Sequence, residues 1–254
     1  MPRAILILAA IAALIYAALC LVLFGAQRSF IYFPQPKSGG DGGAALTLNI
    51  DGERVRVSAG PNRGPDAVIY FGGNAEDVSG SLPTLAEAFP ERSVFAMNYR
   101  GYGGSTGKPS EAALIADALV LFDRVQVDHP KIIVIGRSLG SGVAVHLASE
   151  RPVERLVLVT PYDSILNIAA SQIPYFPVRW LLLDKFESWR YAARVAAPTQ
   201  LIVAQNDEVI PAASTAALYK HFPRSRATLT VIPGVGHNTI SESPEYISLL
   251  RKTP

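Results

Sequence analysis

The pentapeptide Gly136-Arg-Ser-Leu-Gly140 places a serine where nucleophilic chemistry is expected. It follows a short apolar run and precedes a helical pattern rich in small residues. In such a strand-to-helix turn the serine hydroxyl is exposed, and the flanking glycines permit a close approach of the backbone. Ser138 is therefore the candidate nucleophile. The alternative is an ordinary glycine-rich turn with a capping serine.

A serine nucleophile needs a general base, and the chain has four histidines. His237 lies in a loop after the last apolar run, and catalytic groups of open α/β sheets gather beyond the carboxyl ends of strands. His129 directly precedes a proline, whereas His146 and His221 lie within helical patterns. We expect these three to be structural or solvated, and we predict that His237 is the base.

The base in turn needs a carboxylate that orients it. Asp207 follows an apolar run, and the order Ser138, Asp207, His237 is the order Ser, Asp, His that accompanies a nucleophile of this kind. Glu208 is adjacent and is expected to point elsewhere. Asp163, after the preceding run, is the alternative, although it is also placed to cap a helix that begins near Ser164.

Acyl transfer also needs N–H donors for the negative charge that develops on the carbonyl oxygen. The backbone N–H of Leu139, at the start of the helix after Ser138, is the first predicted donor. The second is expected in the loop Gly72-Gly-Asn-Ala75. We predict the N–H of Asn74, with Ala75 as the alternative, and a plain turn is the other interpretation of this loop.

The elements that would position these residues alternate between apolar runs and helical patterns. Residues 46–50 and 54–58 flank Asp51-Gly52, a hairpin signal. Continuous apolar runs, typical of strands buried on both faces, occupy residues 67–71, 93–97, 132–135, 156–159 and 201–204. A mixed run at 227–232 is predicted nearer the sheet edge. One helix is predicted from the apolar face formed by Leu114, Ala118, Leu121 and Val125, with Ser110 as its cap. Further helices are predicted over residues 139–150, 212–221 and 245–251. The pattern predicts an α/β fold with one mostly parallel, doubly wound sheet.

The amino-terminal run has a different character, because residues 4–26 carry no charge. About 23 residues at a 1.5 Å rise would cross a hydrocarbon core of about 30 Å. We therefore predict a transmembrane signal-anchor helix over residues 1–27, followed by a catalytic domain over residues 28–254. A cleaved signal peptide is the alternative, but the run exceeds the usual apolar region of about 7–15 residues. Prolines and glycines between residues 34 and 43 are typical of a linker.

Composition narrows the class of protein further. The 254 residues are 49% hydrophobic and 17% charged, with a mean hydropathy of +0.24. Removing residues 1–27 leaves roughly 45% hydrophobic residues, within the globular range, and about 19% charged residues, which is still low. A net charge of +2 gives no indication of a nucleic-acid partner. With Cys20 as the single cysteine, an internal disulfide and a cysteine metal cluster are excluded. The sequence implies no metal and no organic cofactor.

At this point the chain resembles the α/β-hydrolase superfamily over about residues 30–250. The resemblance is greatest to its small, membrane-anchored serine hydrolases, which include protein depalmitoylases and fungal and bacterial members of unknown substrate. The motifs that carry it are Tyr32-Phe-Pro34, Phe71-Gly-Gly-Asn74, Asn98-Tyr-Arg-Gly-Tyr-Gly103, Gly136-Arg-Ser-Leu-Gly-Ser-Gly142, Thr160-Pro-Tyr-Asp-Ser164, Asp207-Glu-Val-Ile-Pro211 and Gly236-His237. They are specific for the fold and the triad, and they are not specific for a substrate.

Two positions depart from the pattern of these relatives. Gly72 stands where relatives usually have a histidine, and the loss of a hydrogen-bonding ring is expected to loosen the oxyanion loop. Asn98 stands where relatives often have an aspartate. Neither departure removes a member of the triad.

The resemblance also implies a small lid at about residues 165–195, after the run that ends near Thr160. Aromatic and aliphatic residues crowd into residues 169–191. One interpretation is a helix packed on the core. The other is an acyl-binding wall, or a patch that meets the bilayer.

These features predict a membrane-anchored serine hydrolase that cleaves an ester or thioester with an apolar acyl group. Its partners would be a small-molecule, lipid or acylated substrate and the membrane itself. A serine peptidase or amidase of the same fold is the alternative, followed by a non-catalytic binding protein on this fold. The positive charges that flank the anchor are nearly balanced, so they give little indication of its orientation. The single anchor and the resemblance favour a catalytic domain on the non-cytoplasmic side.

Overall fold

The computed structural model describes residues 2–36, 44–60 and 64–252, and in them one mixed sheet forms the centre of the fold. The glycines at 39, 40, 42 and 43, which the sequence assigns to a linker, lie outside the described residues. The strands are β1 (Ala44–Ile50), β2 (Glu53–Ala59), β3 (Asp66–Phe71), β4 (Arg92–Met97), β5 (Ile132–Arg137), β6 (Arg155–Val159), β7 (Thr199–Asn206) and β8 (Ala227–Gly236).

The strand order is β1-β2-β4-β3-β5-β6-β7-β8. The pairs β1–β2 and β2–β4 are antiparallel, and every later pair is parallel. The predicted hairpin and the predicted edge position of the last strand are confirmed. The strands β3, β5, β6, β7 and β8 run in one direction, so the loops after them meet at the carboxyl ends of the strands. Ligands bind at this end of the sheet in open α/β folds.

The helices are α1 (Pro2–Ile31), α2 (Leu82–Ala88), α3 (Glu111–Gln126), α4 (Leu139–Glu150), α5 (Ile165–Gln172), α6 (Val178–Leu181), α7 (Trp189–Ala192), α8 (Ala212–His221) and α9 (Tyr246–Arg251). The predicted apolar face of α3 is buried. The Ser110 hydroxyl caps this helix by accepting the Ala113 N–H at 3.2 Å. The short helix α2 was not predicted, because seven residues that begin with Leu-Pro are too few for a helical period to stand out.

The core lies on both faces of the sheet, as the doubly wound prediction requires. Along β3, Ile69 and Phe71 belong to one buried apolar cluster, whereas Val68 and Tyr70 belong to another. Successive strand residues point to opposite faces, so each continuous apolar run supplies both clusters. The carboxyl ends of these strands are therefore held in place by packing on both faces of the sheet.

Helix α1 is long and apolar enough to cross a membrane by length and composition. Its large apolar side chains are exposed along most of its length; Leu21, for example, is 70% exposed. The helix continues without a break to Ile31, several residues beyond the predicted span. Gln27 and Ile31 are buried, so the last turns of α1 pack on the α/β domain.

Candidate active site

Ser138 occupies a strained turn between β5 and α4, with φ 49° and ψ −118°. A positive φ is rare for a residue with a side chain, and strain of this kind gathers at functional sites. The two glycines of the motif are required by space. A Cβ at Gly136 would lie 2.4 Å from the Gly140 carbonyl oxygen, and a Cβ at Gly140 would lie 2.1 Å from that of Phe71. The turn therefore presents the serine hydroxyl while α4 packs tightly on the sheet.

The structure brings Ser138, His237 and Asp207 together in one hydrogen-bonded row. The Oγ of Ser138 lies 2.9 Å from Nε2 of His237. The Nδ1 of the same ring lies 2.9 Å and 3.0 Å from the two carboxylate oxygens of Asp207. Ser138 and His237 are buried, at 8% and 5% exposure. The three residues come from the ends of β5, β7 and β8, as the chain order predicts.

The environment of Asp207 favours its ionised form. Burial raises the pKa of this carboxyl, but the hydrogen bond from His237 and those from the backbone N–H groups of Ile210 and Val209 together bring the pKa below its ordinary value. The carboxylate therefore stays charged and accepts hydrogen bonds from the ring and from its own loop.

Glu208 contributes a contact that sequence reasoning missed. Its Oε2 accepts the backbone N–H of His237 at 3.0 Å, and this contact comes first among the causes that lower the pKa of Glu208. Glu208 is thus a positioning residue for the loop that carries the histidine. Its place beside Asp207 was the available signal, but only the fold shows which backbone group it meets.

The other candidate residues make different contacts and are not part of this row. Asp163 accepts hydrogen bonds from the Ser214 hydroxyl and from the Asn167 side chain, so it supports the start of α5. His129 contacts the carbonyl of Pro65, and His146 pairs with Glu150 one turn further along α4. His221 packs against the ring of Trp189.

The two residues predicted to supply oxyanion donors, Asn74 and Leu139, line the same cavity as Ser138. Leu139 is the first residue of α4, so its N–H has no acceptor within the helix. Asn74, and not Ala75, is among the described residues that line the cavity with Ser138 and Leu139. The Gly140 N–H donates to the Gly72 carbonyl at 3.1 Å and so joins the nucleophile turn to the oxyanion loop.

The oxyanion loop, which has a glycine at position 72, is held by hydrogen bonds that the sequence did not indicate. The Gly73 N–H donates to Oε2 of Glu76 at 2.8 Å, and the Tyr99 hydroxyl donates to the Gly72 carbonyl at 2.8 Å. A Cβ at Gly72 would lie 2.6 Å from Val78 and about 3.0 Å from the Glu76 carboxyl group. The carboxylate of Glu76 therefore occupies the space beside the loop and accepts a hydrogen bond from it.

Asn74 is also tied to the chain that leaves α1. Its carbonyl accepts the Phe33 N–H at 3.0 Å and the Tyr102 hydroxyl at 2.7 Å. Its side-chain amide donates to the Ile31 carbonyl at 3.1 Å. The end of the apolar helix thus holds the oxyanion loop.

Asn98, the second departure from the relatives, makes its own set of hydrogen bonds. Its side-chain amide donates to the Ser58 hydroxyl at 3.0 Å and to the Arg56 carbonyl at 3.2 Å. An amide supplies these two N–H donors, whereas an aspartate would not.

A cavity of about 450 Å³ opens beside Ser138. Its walls are mainly apolar and come from α1, from α5 and from residues 173–182 of the predicted lid. In the described part of the chain, no group of three or more His, Cys, Asp or Glu side chains is placed to hold a metal ion. The arrangement brings a serine hydroxyl, an imidazole ring and a carboxylate together at the wall of an apolar cavity.

A strained serine turn at the edge of this sheet, with a histidine and an aspartate from later strands, defines the class of the protein. The chain belongs to the α/β-hydrolase superfamily. A family model described as alpha/beta hydrolase fold matches residues 66–187, and one described as serine aminopeptidase, S33, matches residues 187–244.

The chain is also similar to individual relatives and to a solved structure. The uncharacterized protein Rv2307c of Mycobacterium tuberculosis is 36% identical over 90% of this chain and 86% of its own length. The alpha/beta hydrolase domain-containing protein 17C of Xenopus tropicalis is 32% identical over 78% of this chain and 63% of its own length. The Pyrococcus furiosus esterase Pf2001 has a TM-score of 0.68 at 20% identity, covering 87% of this chain and 99% of that one, a likeness of fold.

Proposed function

We propose that the chain is a membrane-anchored serine hydrolase that cleaves an ester or thioester with an apolar acyl group. The observation that carries the proposal is the row from Ser138 through His237 to Asp207, with both hydrogen bonds at 2.9 Å, at the wall of an apolar cavity. These distances lie within the reach that proton transfer needs.

The proposed reaction has two halves. Ser138 Oγ attacks the acyl carbonyl while Nε2 of His237 takes its proton, and Asp207 stabilises the charged ring. The N–H groups of Asn74 and Leu139 stabilise the oxyanion. The protonated His237 then gives its proton to the leaving alcohol or thiol. Water, activated by the same ring, hydrolyses the acyl-enzyme and frees Ser138.

Labelling with a fluorophosphonate probe tests this proposal. The intact protein is expected to label, and Ser138→Ala is expected not to. Ser149→Ala, on the same helix α4, is the matched control and should label like the parent. Equal labelling of Ser138→Ala, or no labelling of the intact protein, would exclude Ser138 as the nucleophile.

An amide substrate is the second candidate, and one observation favours it: the family model described as serine aminopeptidase matches residues 187–244. The cavity favours the ester, because no charged side chain is among its described lining residues to pair with a free amino terminus. Rates on nitrophenyl esters of short and long acyl chains, compared with rates on aminoacyl amides, separate the two. The amidase would require the higher kcat/KM on amides.

The anchor is also a proposal, and the docking of α1 supports it. Gln27 and Arg28 hydrogen-bond to the lid, and cleavage after residue 26 would cut an unbroken helix beside the cavity. We place the catalytic domain on the non-cytoplasmic side. A carboxyl-terminal fusion to a reporter that is active only outside the cytoplasm should be active. An inactive reporter, with a cytoplasmic reporter active in its place, would reverse the orientation.

A further inference from the structure

We infer that the carboxyl-terminal part of α1 forms a wall of the substrate site, and that the site takes the acyl chain of an uncharged ester lipid from the bilayer beside α1. This inference rests on the proposed function and names its substrate class. Under it, α1 does more than tether the domain, because the cavity is incomplete without it.

The wall is one face of a helix. Leu23, Phe24, Gln27, Phe30 and Ile31 line the cavity that contains Ser138. They follow one another at spacings of one, three, three and one residues, which places them on a single side of a helix. Leu21, two positions before Leu23, is 70% exposed and is not among the lining residues.

The lid forms the opposite wall and extends along α1 towards the membrane. Ile168, Ile173, Phe176 and Leu181 line the same cavity. The ring of Phe176 stacks on Tyr16 with centroids 5.7 Å apart, and the Tyr16 hydroxyl donates to the Tyr175 carbonyl at 2.8 Å. The lid therefore reaches a point seven residues before Leu23.

That point is deep within the apolar part of α1. Seven residues at a 1.5 Å rise separate Tyr16 from Leu23 by about 10 Å along the axis. A span of about 20 residues that starts at Ala4 ends near Leu23, so Tyr16 lies within the hydrocarbon region. Tyr175 and Phe176 contact Tyr16, so this part of the lid lies about 10 Å inside the end of the span. The exposed side of the lid suits a place close to the headgroups, since Tyr175 and Trp180 are each 87% exposed and aromatic rings are favoured near the membrane interface.

Hydrogen bonds hold this arrangement in register. The side chain of Gln27 accepts the Leu183 N–H at 2.7 Å and donates to the Leu181 carbonyl at 3.2 Å. The Gln27 side chain therefore holds the lid at a defined distance from α1. The cavity lies between them, beside the apolar surface that α1 shares with the lipid.

The chemistry of the lining defines the substrate class. The described lining residues include Gln27, Asn74, Ser138 and Gln172 but no charged side chain. A phosphate or ammonium drawn into this space would lose its hydration without a charged partner. A peptide would bring backbone N–H and C=O groups that also need partners. An acyl chain with an uncharged glycerol-type ester satisfies the lining.

The test uses the full chain in phosphatidylcholine vesicles that contain a long-chain monoacylglycerol, with a nitrophenyl butyrate assay beside it. Leu23→Trp fills the wall and is expected to lower monoacylglycerol hydrolysis about 10-fold or more, with a much smaller effect on the butyrate. Leu21→Trp, on the other side of α1, is the matched control and should match the parent. Equal behaviour of the two variants would overturn the wall.

Three further outcomes separate this inference from the proposed function. Fluorophosphonate labelling of Leu23→Trp shows that Ser138 still reacts, so a selective loss on the long chain supports the wall. If the parent labels but cleaves only a phospholipid or an S-acylated peptide in the vesicles, the uncharged-lipid class is wrong. If Leu23→Trp does not label, Phe24→Ala takes its place as the test variant. This variant enlarges the cavity and should favour substrates with longer acyl chains. An unchanged optimum of acyl-chain length would contradict the inference that α1 forms a wall of the site.

The depth of the lid has its own measurement. The chain has two tryptophans, so Trp189→Phe leaves Trp180 as the sole reporter. Its fluorescence should be quenched by lipids brominated near the upper part of the acyl chain. Lack of quenching by lipids brominated at any depth would show that the lid stays in water and would overturn entry from the bilayer.

Discussion

The carboxylate of Glu76 accepts the backbone N–H of Gly73 at 2.8 Å. This contact holds Gly73, the residue that precedes Asn74, whose N–H is the proposed oxyanion donor. The second oxygen of Glu76 accepts hydrogen bonds from Tyr70 at 2.8 Å and Ser81 at 2.6 Å, and Arg137 lies 3.4 Å from the first. One acidic side chain thus connects the oxyanion loop, the sheet and the residue next to the nucleophile.

Glu76→Ala is expected to lower kcat by about 10-fold or more, because it frees the loop that carries a donor, whereas removing a donor outright costs about 100-fold to 1000-fold. Glu76→Gln keeps one acceptor for Gly73 and should lose less. KM for a short ester should change little, because the acyl wall is untouched. The measurement is kcat per active site, counted by probe titration.

Glu87→Gln, an exposed acidic position on α2, is the control and should match the parent. If Glu76 had a purely structural role, Glu76→Ala would lower the number of active sites that react with the probe. The kcat of each remaining active site would be unchanged. That result would contradict the positioning role.

Asp207→Asn is expected to lower kcat by about 10⁴-fold, because an amide no longer stabilises the charged His237 ring or selects its tautomer. Asp163→Asn tests the other aspartate at this edge of the sheet. Asp163 bonds to Asn167 and Ser214, so its replacement should reduce the free energy of unfolding and leave kcat within a few-fold. Loss of kcat in Asp163→Asn, with activity kept in Asp207→Asn, would reverse the assignment.

The stability that Asp207 supplies should depend on pH in one direction. Its pKa is lowered in the folded state, so the unfolded chain binds the proton more readily. The contribution is therefore complete above the ordinary aspartate pKa of about 3.9, and it is lost as the pH falls through the lower folded value. Denaturation of the parent and of Asp207→Asn in detergent micelles, from pH 3 to pH 7, measures the difference.

That difference in unfolding free energy should be constant near neutral pH and shrink in acid. In a His237→Ala background it should be smaller throughout, because the ring supplies one of the hydrogen bonds that lower the pKa of Asp207. A difference that grows on acidification would show that the folded pKa is raised instead.

Gly140→Ala is expected to destabilise the protein by about 1–3 kcal/mol, since the added carbon would overlap the carbonyl oxygens of Phe71 and Gly72. Both are backbone atoms of the strand and loop that hold the oxyanion donors, so activity should fall as well. Gly80→Ala, where the added carbon meets nothing within 4 Å, is the control. Thermal midpoints and ester hydrolysis of the two variants give the comparison. Equal midpoints would show that the turn has room to adjust.

Much of the site could be predicted because its signals are local. A few neighbouring residues are enough to indicate each of these features. They are the motif around Ser138, the strand-end positions of Asp207 and His237, and the first residue of α4. The buried strands could be predicted equally well, since a strand covered on both faces must be apolar throughout. At Gly72 the missing ring predicts a loose loop, whereas the hydrogen bonds that Glu76 and Tyr99 make with this loop could not be predicted from neighbouring residues.

Local residue patterns thus decided the class of fold, the order of the reactive side chains and the presence of an apolar amino-terminal helix. Tertiary contacts alone decided that Glu76 supports the oxyanion loop and that Gln27 meets the lid 154 residues further along the chain. They also turned one face of α1 into a wall of the cavity. The physical reason is that a strand end or a helix cap is set by adjacent backbone, whereas a cavity is formed by side chains that only the packing of distant elements brings together.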